Sequence, residues 1–332
     1  MSERSGQARA NPDLSAAFRS PIARAPTSFQ TSSDRVFRVV AQSFGIAVVV
    51  LLAGIVVQVM RHAAPAMGDH GLGFLTRSRW DTNADNYGIL PQIMGTLYTS
   101  VLALILGGVL GVTVALVTSQ GFIGRRWELA MKNVIELLAA IPSVVYGLWG
   151  IFVLIPAVRG PSAWLHEHFG SLPFFSTELS GPGILPASLV LAVMILPTIT
   201  AVSREALAAV PKRLPAAAYG LGATQWEVIF RVVLPTASGG IFGALVLGFG
   251  RALGETMALA MLVGNANVFG WSLFSPGSTL AALLANHFPE AGAVEVGALM
   301  YAAVVLLLIT LAVNALGSLI MLRTTRELKG LN

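Results

Sequence analysis

The sequence predicts an all-α polytopic membrane protein with six transmembrane helices and both termini cytoplasmic. Three observations predict it. The 332 residues are 55% hydrophobic and only 11% charged, whereas a soluble domain is about a quarter charged. Six stretches are apolar over the roughly 20 residues that a bilayer crossing needs. Lys and Arg then sort to alternate sides of those stretches, the usual signature of membrane orientation. Mean hydropathy, at +0.74, agrees. Cysteine is absent, which excludes disulfides, thiolate metal sites and a cysteine nucleophile.

Residues 1–36 are rich in Ser, Ala, Pro and Arg and have no apolar period, so they read as a disordered cytoplasmic tail. A secretory signal would place its apolar core directly after a short charged start. Here the first apolar run begins near residue 37, which makes it a retained helix. That helix, over 39–60, and an outer loop make up residues 37–92. A transmembrane domain over 93–322 follows, with spans at 93–117, 134–158, 184–202, 238–263 and 296–322 and a cytoplasmic tail at 323–332.

With the termini inside, the inner segments hold sixteen basic residues: six in the first 38 residues, then Arg125, Arg126, Lys132, Arg204, Lys212, Arg213, Arg231, Arg323, Arg326 and Lys329. The outer loops hold four, Arg61, Arg77, Arg79 and Arg159. The net charge of +5 is therefore a topology signal, and no nucleic-acid partner is expected.

Arg251 belongs to neither set, because "GFGRALGETMALAMLVGN" places it inside the fifth span with Glu255 four residues on. Gly250 and Gly254, like Gly107 and Gly111 in the second span, have the small-x-x-x-small spacing that lets helices pack closely. A charge at bilayer depth costs several kcal/mol and normally faces a polar cavity or a partner. Two readings fit the pair. Either Arg251 lies on a substrate path, or Arg251 and Glu255 lock helices together. Arg placed N-terminal to Glu is the weaker i, i+4 order, which makes mutual neutralisation alone a poor reason to keep both.

The segment "SREALAAVPKRLPAAAYGLGATQWEVIFRVVLP", residues 203–235, reads as short helices joined by tight turns. Pro211 and Pro215 break or begin helices, Gly220 and Gly222 permit a sharp turn, and Thr224 with Glu227 has capping-box spacing. On spacing alone it could also be a plain connecting hairpin. It resembles the EAA loop of ABC importer permeases, with Ala216, Ala217, Ala218, Gly222, Val232, Leu234 and Pro235 in register; Ala216 stands where the family usually has glutamate. The resemblance implies a type I ABC importer permease fold, with this loop acting as the helix that couples to a separate ATPase.

Further stretches, "WDTNADNYGILPQIMGTLYTS", "ELLAAIPSVVYGLWG", "GRALGETMA" and "LFSPGSTLAALLANHF", are similar to the PstC-type permeases of phosphate-specific ABC importers. That likeness implies a non-catalytic translocation subunit carrying inorganic phosphate across the bacterial cytoplasmic membrane. The implied partners are a PstA-type companion permease, two PstB-type ATPase subunits that bind ATP and Mg, a PstS-type soluble phosphate-binding protein, and membrane lipid. The implied substrate-path residues are Arg251, Glu255 and Thr256. A guanidinium suits a multiply charged oxyanion, and Glu255 would hold it in place and limit how tightly the anion sticks. Thr256 could add a hydroxyl donor or bond its own backbone. A permease for another oxyanion, molybdate or sulfate, is the alternative.

No cofactor is expected in this chain. Its three lysines, at 132, 212 and 329, follow no phosphate-cradling glycine loop. His166 and His168 flank Glu167, short of the converging ligands of a zinc site, so no metal is expected. Lys132 and Glu136 read as an interfacial pair, and Trp80, Trp164 and Trp271 as interfacial anchors. An intramembrane enzyme built on Glu255 lacks a second reactive group at matching depth. A secondary transporter would show internal repeats, which the two halves lack.

Overall fold

The computed structural model describes residues 28–82 and 85–329, with side chains described between 32 and 321. The chain divides into two units, Met1–Gln58 and Val59–Asn332. Helix α1, Ser28–His70, runs across that division. The expected tail lies outside the described residues up to 27, whereas 28–36 already belong to α1. In the first unit, Phe44, Ile46 and Leu51 stand exposed with their neighbours. A helix apolar on all sides suits lipid rather than water.

The second unit holds the other helices. A two-residue hairpin pairs β1, Trp80–Asp81, with β2, Asn86–Tyr87, setting Trp80 opposite Tyr87. Helix α2, Leu90–Ser119, starts on Pro91, whose missing N–H costs nothing in a first turn. Gly107 and Gly111 lie on the face that meets α5. A Cβ at Gly107 would stand 2.7 Å from the Ala192 carbonyl oxygen, and one at Gly111 would stand 3.0 Å from Ile199. This pair therefore packs as its spacing predicted.

Helix α3, Arg125–Ala140, buries no residue. It ends because Pro142 forces Ile141 into an extended conformation, φ −71° and ψ 127°. The third span is consequently α4, Ser143–Phe169, with a π turn at Gly150–Leu154. The expected range 134–158 had fused the apolar face of α3 with the first half of α4.

Helix α5, Ile184–Ala208, is the most buried span. It leads through α6, Arg213–Gly220, to α7, Gln225–Leu253, which begins with a helical turn and a π turn at Ile229–Val233. Then come α8, Met257–Leu262, α9, Leu280–His287, and α10, Ala293–Lys329. Six helices among the described residues are long and apolar enough to cross a membrane, the number the sequence predicts.

The core of the second unit lies in three clusters. Leu207, Val210, Val228 and Val233 gather where α5 turns into α7. Ile195, Ile199, Leu259 and Leu262 fill the middle. Phe74, Tyr87, Leu280 and Leu299 close the opposite end. Two buried threonines are satisfied locally: Thr96 donates to Gln92 O at 2.7 Å, and Thr99 to Gly95 O at 2.8 Å.

Candidate functional site

The connection between α5 and α7 is built from its own turn chemistry. Ala209 and Val210 close α5, and Pro211 cannot continue it. Gly222 adopts φ +86°, a left-handed conformation that a side chain would strain. Thr224 and Glu227 then form the expected capping box. The Thr224 N–H and hydroxyl both donate to Glu227 Oε2 at 2.9 Å, and Glu227 N donates back to Thr224 Oγ1 at 3.4 Å.

The coupling residues sort by burial. Ala216 and Ala217 are exposed on α6, Ala218 and Leu234 pack against the cluster beneath, and Val232 and Pro235 lie in the α7 entrance turn. Leu221, 90% exposed, projects from the turn with Tyr219, Trp226 and Phe230 also exposed. An apolar tip of that size in a structured hairpin has the form of a docking surface.

The fifth span differs from its expected shape. α7 ends at Leu253, residues 254–256 are not helical, and α8 resumes at Met257. Gly254 therefore ends the helix; it is not a packing glycine. Only Gly250 meets a neighbour closely, with Asn314 Oδ1 3.2 Å from where its Cβ would be. Arg251 and Glu255 do not sit one turn apart on a continuous helix, and they form no ion pair among the described residues. The picture of Glu255 clamping Arg251 within one helix is thus corrected.

Arg251 occupies the last turn of α7, where the negative end of the helix dipole favours a cation. Its Nη1 donates to Thr198 Oγ1 at 3.5 Å. Thr198 lies fourteen residues from the start of α5 and ten from its end, so at 1.5 Å per residue it is about 21 Å and 15 Å from the two ends. That puts the guanidinium deep in the span, accessible in the single chain. On α4, the Tyr146 hydroxyl donates to Leu138 O at 2.8 Å. Glu255 is half-buried on the non-helical stretch. The Thr256 hydroxyl donates to Gly254 O at 3.2 Å, the backbone option of its two expected roles.

Thr198 is a site contact that no motif in the sequence singles out. A hydroxyl directly after Pro197 inside a span was the available signal, because proline leaves a backbone carbonyl unpaired there.

Beyond α8 the chain folds back onto the start of α5. Gly183, Ile184 and Leu185 donate to Leu262 O, Ser275 O and Leu273 O at 2.8, 3.1 and 2.7 Å. These bonds satisfy the first donors of α5 and hold the segment 263–279 against α2, where a Cβ on Gly95 would overlap the Ser278 carbonyl.

Trp80 is held by contacts within the protein. It donates to Glu295 Oε1 at 3.1 Å and meets Tyr87 edge-on. Burial first, then the Asp85 and Glu295 carboxylates, push the Tyr87 phenol up. His166 and His168 are held separately by the carbonyls of Phe175 and Trp164 at 2.7 and 2.9 Å, and no metal-ligand cluster occurs among the described residues. Lys132 and Glu136 form the expected pair at 3.8 Å.

This geometry, a structured hairpin at one end and a broken span carrying a cation within, can be compared with known proteins. A sequence profile of the family described as binding-protein-dependent transport system inner membrane component matches residues 107–326. The chain belongs to this family. Among its relatives, the phosphate transport system permease protein PstC of Pasteurella multocida is 39% identical, with 89% of this chain and 93% of that protein aligned. The PstC of Haemophilus influenzae is 37% identical over 91% and 96% of the two chains.

Solved structures of this inner membrane component's fold include a bacterial alginate ABC transporter in complex with an alginate pentasaccharide-bound periplasmic protein, at TM-score 0.59 and 16% identity. That alignment covers 87% of this chain and 96% of that one. The inward facing MetNI methionine ABC transporter aligns at TM-score 0.54 and 17% identity, covering 71% and 95%. The fold is that of a type I ABC importer permease, and the chain is a multi-pass membrane protein.

Proposed function

We propose that this chain is the translocation subunit of an ATP-driven importer of inorganic phosphate in the bacterial cytoplasmic membrane, with both termini cytoplasmic. The observation that carries the substrate is likeness along nearly the whole chain to proteins named as phosphate permeases, at 35–39% identity. Arg251 gives that likeness a chemical partner. A guanidinium deep in a span has a fork of donors for an oxyanion passing the α7 break. Glu255, near in sequence but unpaired with it, sets a negative charge along the route, so the anion is attracted without being trapped.

Transport in this reading is alternating access. The 209–233 hairpin docks into an ATPase subunit of PstB type through Leu221, Trp226 and Phe230, and closure of the ATPase pair rocks the bundle. Hydrolysis of ATP with Mg belongs to those subunits. A PstA-type companion completes the path, and a PstS-type binding protein delivers phosphate from the outer side.

Uptake into vesicles holding all four kinds of subunit tests this. Phosphate should accumulate with ATP inside, and sulfate or molybdate should not. Accumulation of sulfate or molybdate in place of phosphate would move the chain to another oxyanion system. Parent-rate phosphate uptake by a normally assembled Arg251→Ala importer would remove Arg251 from the path.

A further inference from the structure

A pocket of about 160 Å³ opens at the end of the bundle opposite the 209–233 hairpin. Gln92, Asn265, Asn267, Ser278, Asn286 and His287 line it, and Trp80 forms part of its wall. A single water needs only roughly 10–15 Å³, so the space admits a small tetrahedral oxyanion. Asn265 and Asn286 are exposed at the mouth, and Gln92, 1% exposed, forms the floor. No lining residue is formally charged unless His287 is protonated. The neighbouring carboxylate, Glu295, is already engaged by Trp80 Nε1 at 3.1 Å and His287 Nδ1 at 3.0 Å.

The floor carries an unmet acceptor. Gln92 Nε2 donates to Asn267 Oδ1 at 2.9 Å, and Gln92 Oε1 is fully buried without a partner. Exchanging O and N in both amides leaves the same balance, because one bond consumes one donor and one acceptor of the pair. One carbonyl and one amino group stay unengaged either way. Gln92 Oε1 itself has no surface for a guest, but Asn267, half-buried in the pocket lining, keeps a lone pair on its carbonyl in either assignment, and that carbonyl can accept from a guest with its own O–H. The same pocket is lined by donors: the amino group of the pair, the Asn286 amide and the Ser278 hydroxyl.

We propose that this pocket is a second oxyanion site, distinct from Arg251, that selects hydrogen phosphate by accepting its P–OH proton at the Gln92–Asn267 amide pair while the neighbouring amides and hydroxyl bind its unprotonated oxygens. The proposal rests on the phosphate reading above and deepens it. Arg251 attracts any oxyanion, since a guanidinium does not distinguish phosphate from sulfate by charge alone. The pocket does distinguish them, because sulfate and molybdate carry no O–H at neutral pH and would leave the acceptor unmet. Arg251 precedes α8 in the chain, and Asn265 and Asn267 follow it.

Tryptophan fluorescence of the assembled importer, prepared without the soluble binding protein, reads the site directly because Trp80 is in its wall; Trp80→Phe identifies the signal. Titration with inorganic phosphate or arsenate should give a saturable change, and sulfate should act at least about tenfold more weakly. The response should persist in Arg251→Ala and be lost in Asn286→Asp and Asn267→Asp, each checked for assembly with the ATPase. Equal responses to sulfate and phosphate would overturn the O–H selection. Parent affinity in both Asp variants, a response abolished by Arg251→Ala, or no response in the parent would each overturn the site. Failure of the parent to take up phosphate while the fluorescence response stands would refute the transport reading and leave the pocket in place.

Discussion

Two connections on the stretch that leads from α5 to α8, the hairpin that carries α6 and the break between α7 and α8, are made differently. Between Ala208 and Gln225 the chain turns with Pro211, a left-handed Gly222 and a threonine cap, each visible in the sequence. Between Leu253 and Met257 it turns with one glycine and no proline, inside an apolar run. The first turn faces water and must satisfy its own backbone groups with turn residues. The second lies partway along a span, where irregular backbone is tolerated if neighbouring groups or a lined cavity satisfy it. The water-facing turn therefore carries a local signature, and the one within the span does not.

The sharpest way to break this comparison is at Arg251, the charge beside the interruption within the span. Arg251→Ala should lower phosphate uptake about 100-fold at unchanged assembly, the scale of losing charge-assisted bonds in a low-dielectric site. Arg251→Lys should retain roughly a tenth of the parent rate, because the point charge survives while the donor fork does not. Uptake by the vesicles described above measures both. Equal rates in the Lys variant and the parent would show that the break uses only charge.

Next in size is Gly95→Ala. The new methyl would overlap the Ser278 carbonyl, so either α2 or the folded-back segment must shift, at a cost of about 1–3 kcal/mol. Thermal unfolding of the detergent-purified importer should register a lower midpoint, and the Trp80 signal should move with it because Ser278 also lines the pocket.

Six spans, their order and the structured hairpin were legible because length, hydropathy and turn chemistry are local properties of the chain. What escaped the sequence depended on contacts between distant segments. The end of α7 at Leu253 has no local breaker beyond Gly254, since an isolated glycine costs a helix only about 1 kcal/mol. The α3–α4 boundary was readable from Pro142 but was overridden by continuous apolar residues on either side. Arg251 stood out as a charge without a topological reason, whereas Thr198 joined it only through the packing of α5 on α7. Gln92 is one more polar residue at a helix start until the fold brings Asn267 to it from 175 positions away.

The hairpin supplies the smaller effects. At Gly222 the surroundings are open, so a substitution is strained by the φ of +86° alone. Gly222→Val should cost about 1–2 kcal/mol and lower transport-coupled ATP hydrolysis several-fold while basal hydrolysis by the isolated ATPase stays unchanged. Coupled hydrolysis at the parent level would mean that the hairpin transmits force without keeping its turn.

Thr224→Ala should act more weakly and more locally. Loss of the cap removes the acceptor for Glu227 N and the hydroxyl that donates to Glu227 Oε2, typically about 1 kcal/mol. That is roughly a fivefold change in a local opening equilibrium. Amide exchange at Glu227 should therefore quicken about fivefold, with exchange in the α8 segment unaltered. Thr224→Ser keeps the oxygen and should restore the parent rate. The same test separates the two interruptions: a cap made of side chains fails when one atom is removed, whereas the α7 break, held by packing, has no single cap to lose. Faster exchange in both segments on Thr224→Ala would show that the hairpin and the break open as one unit.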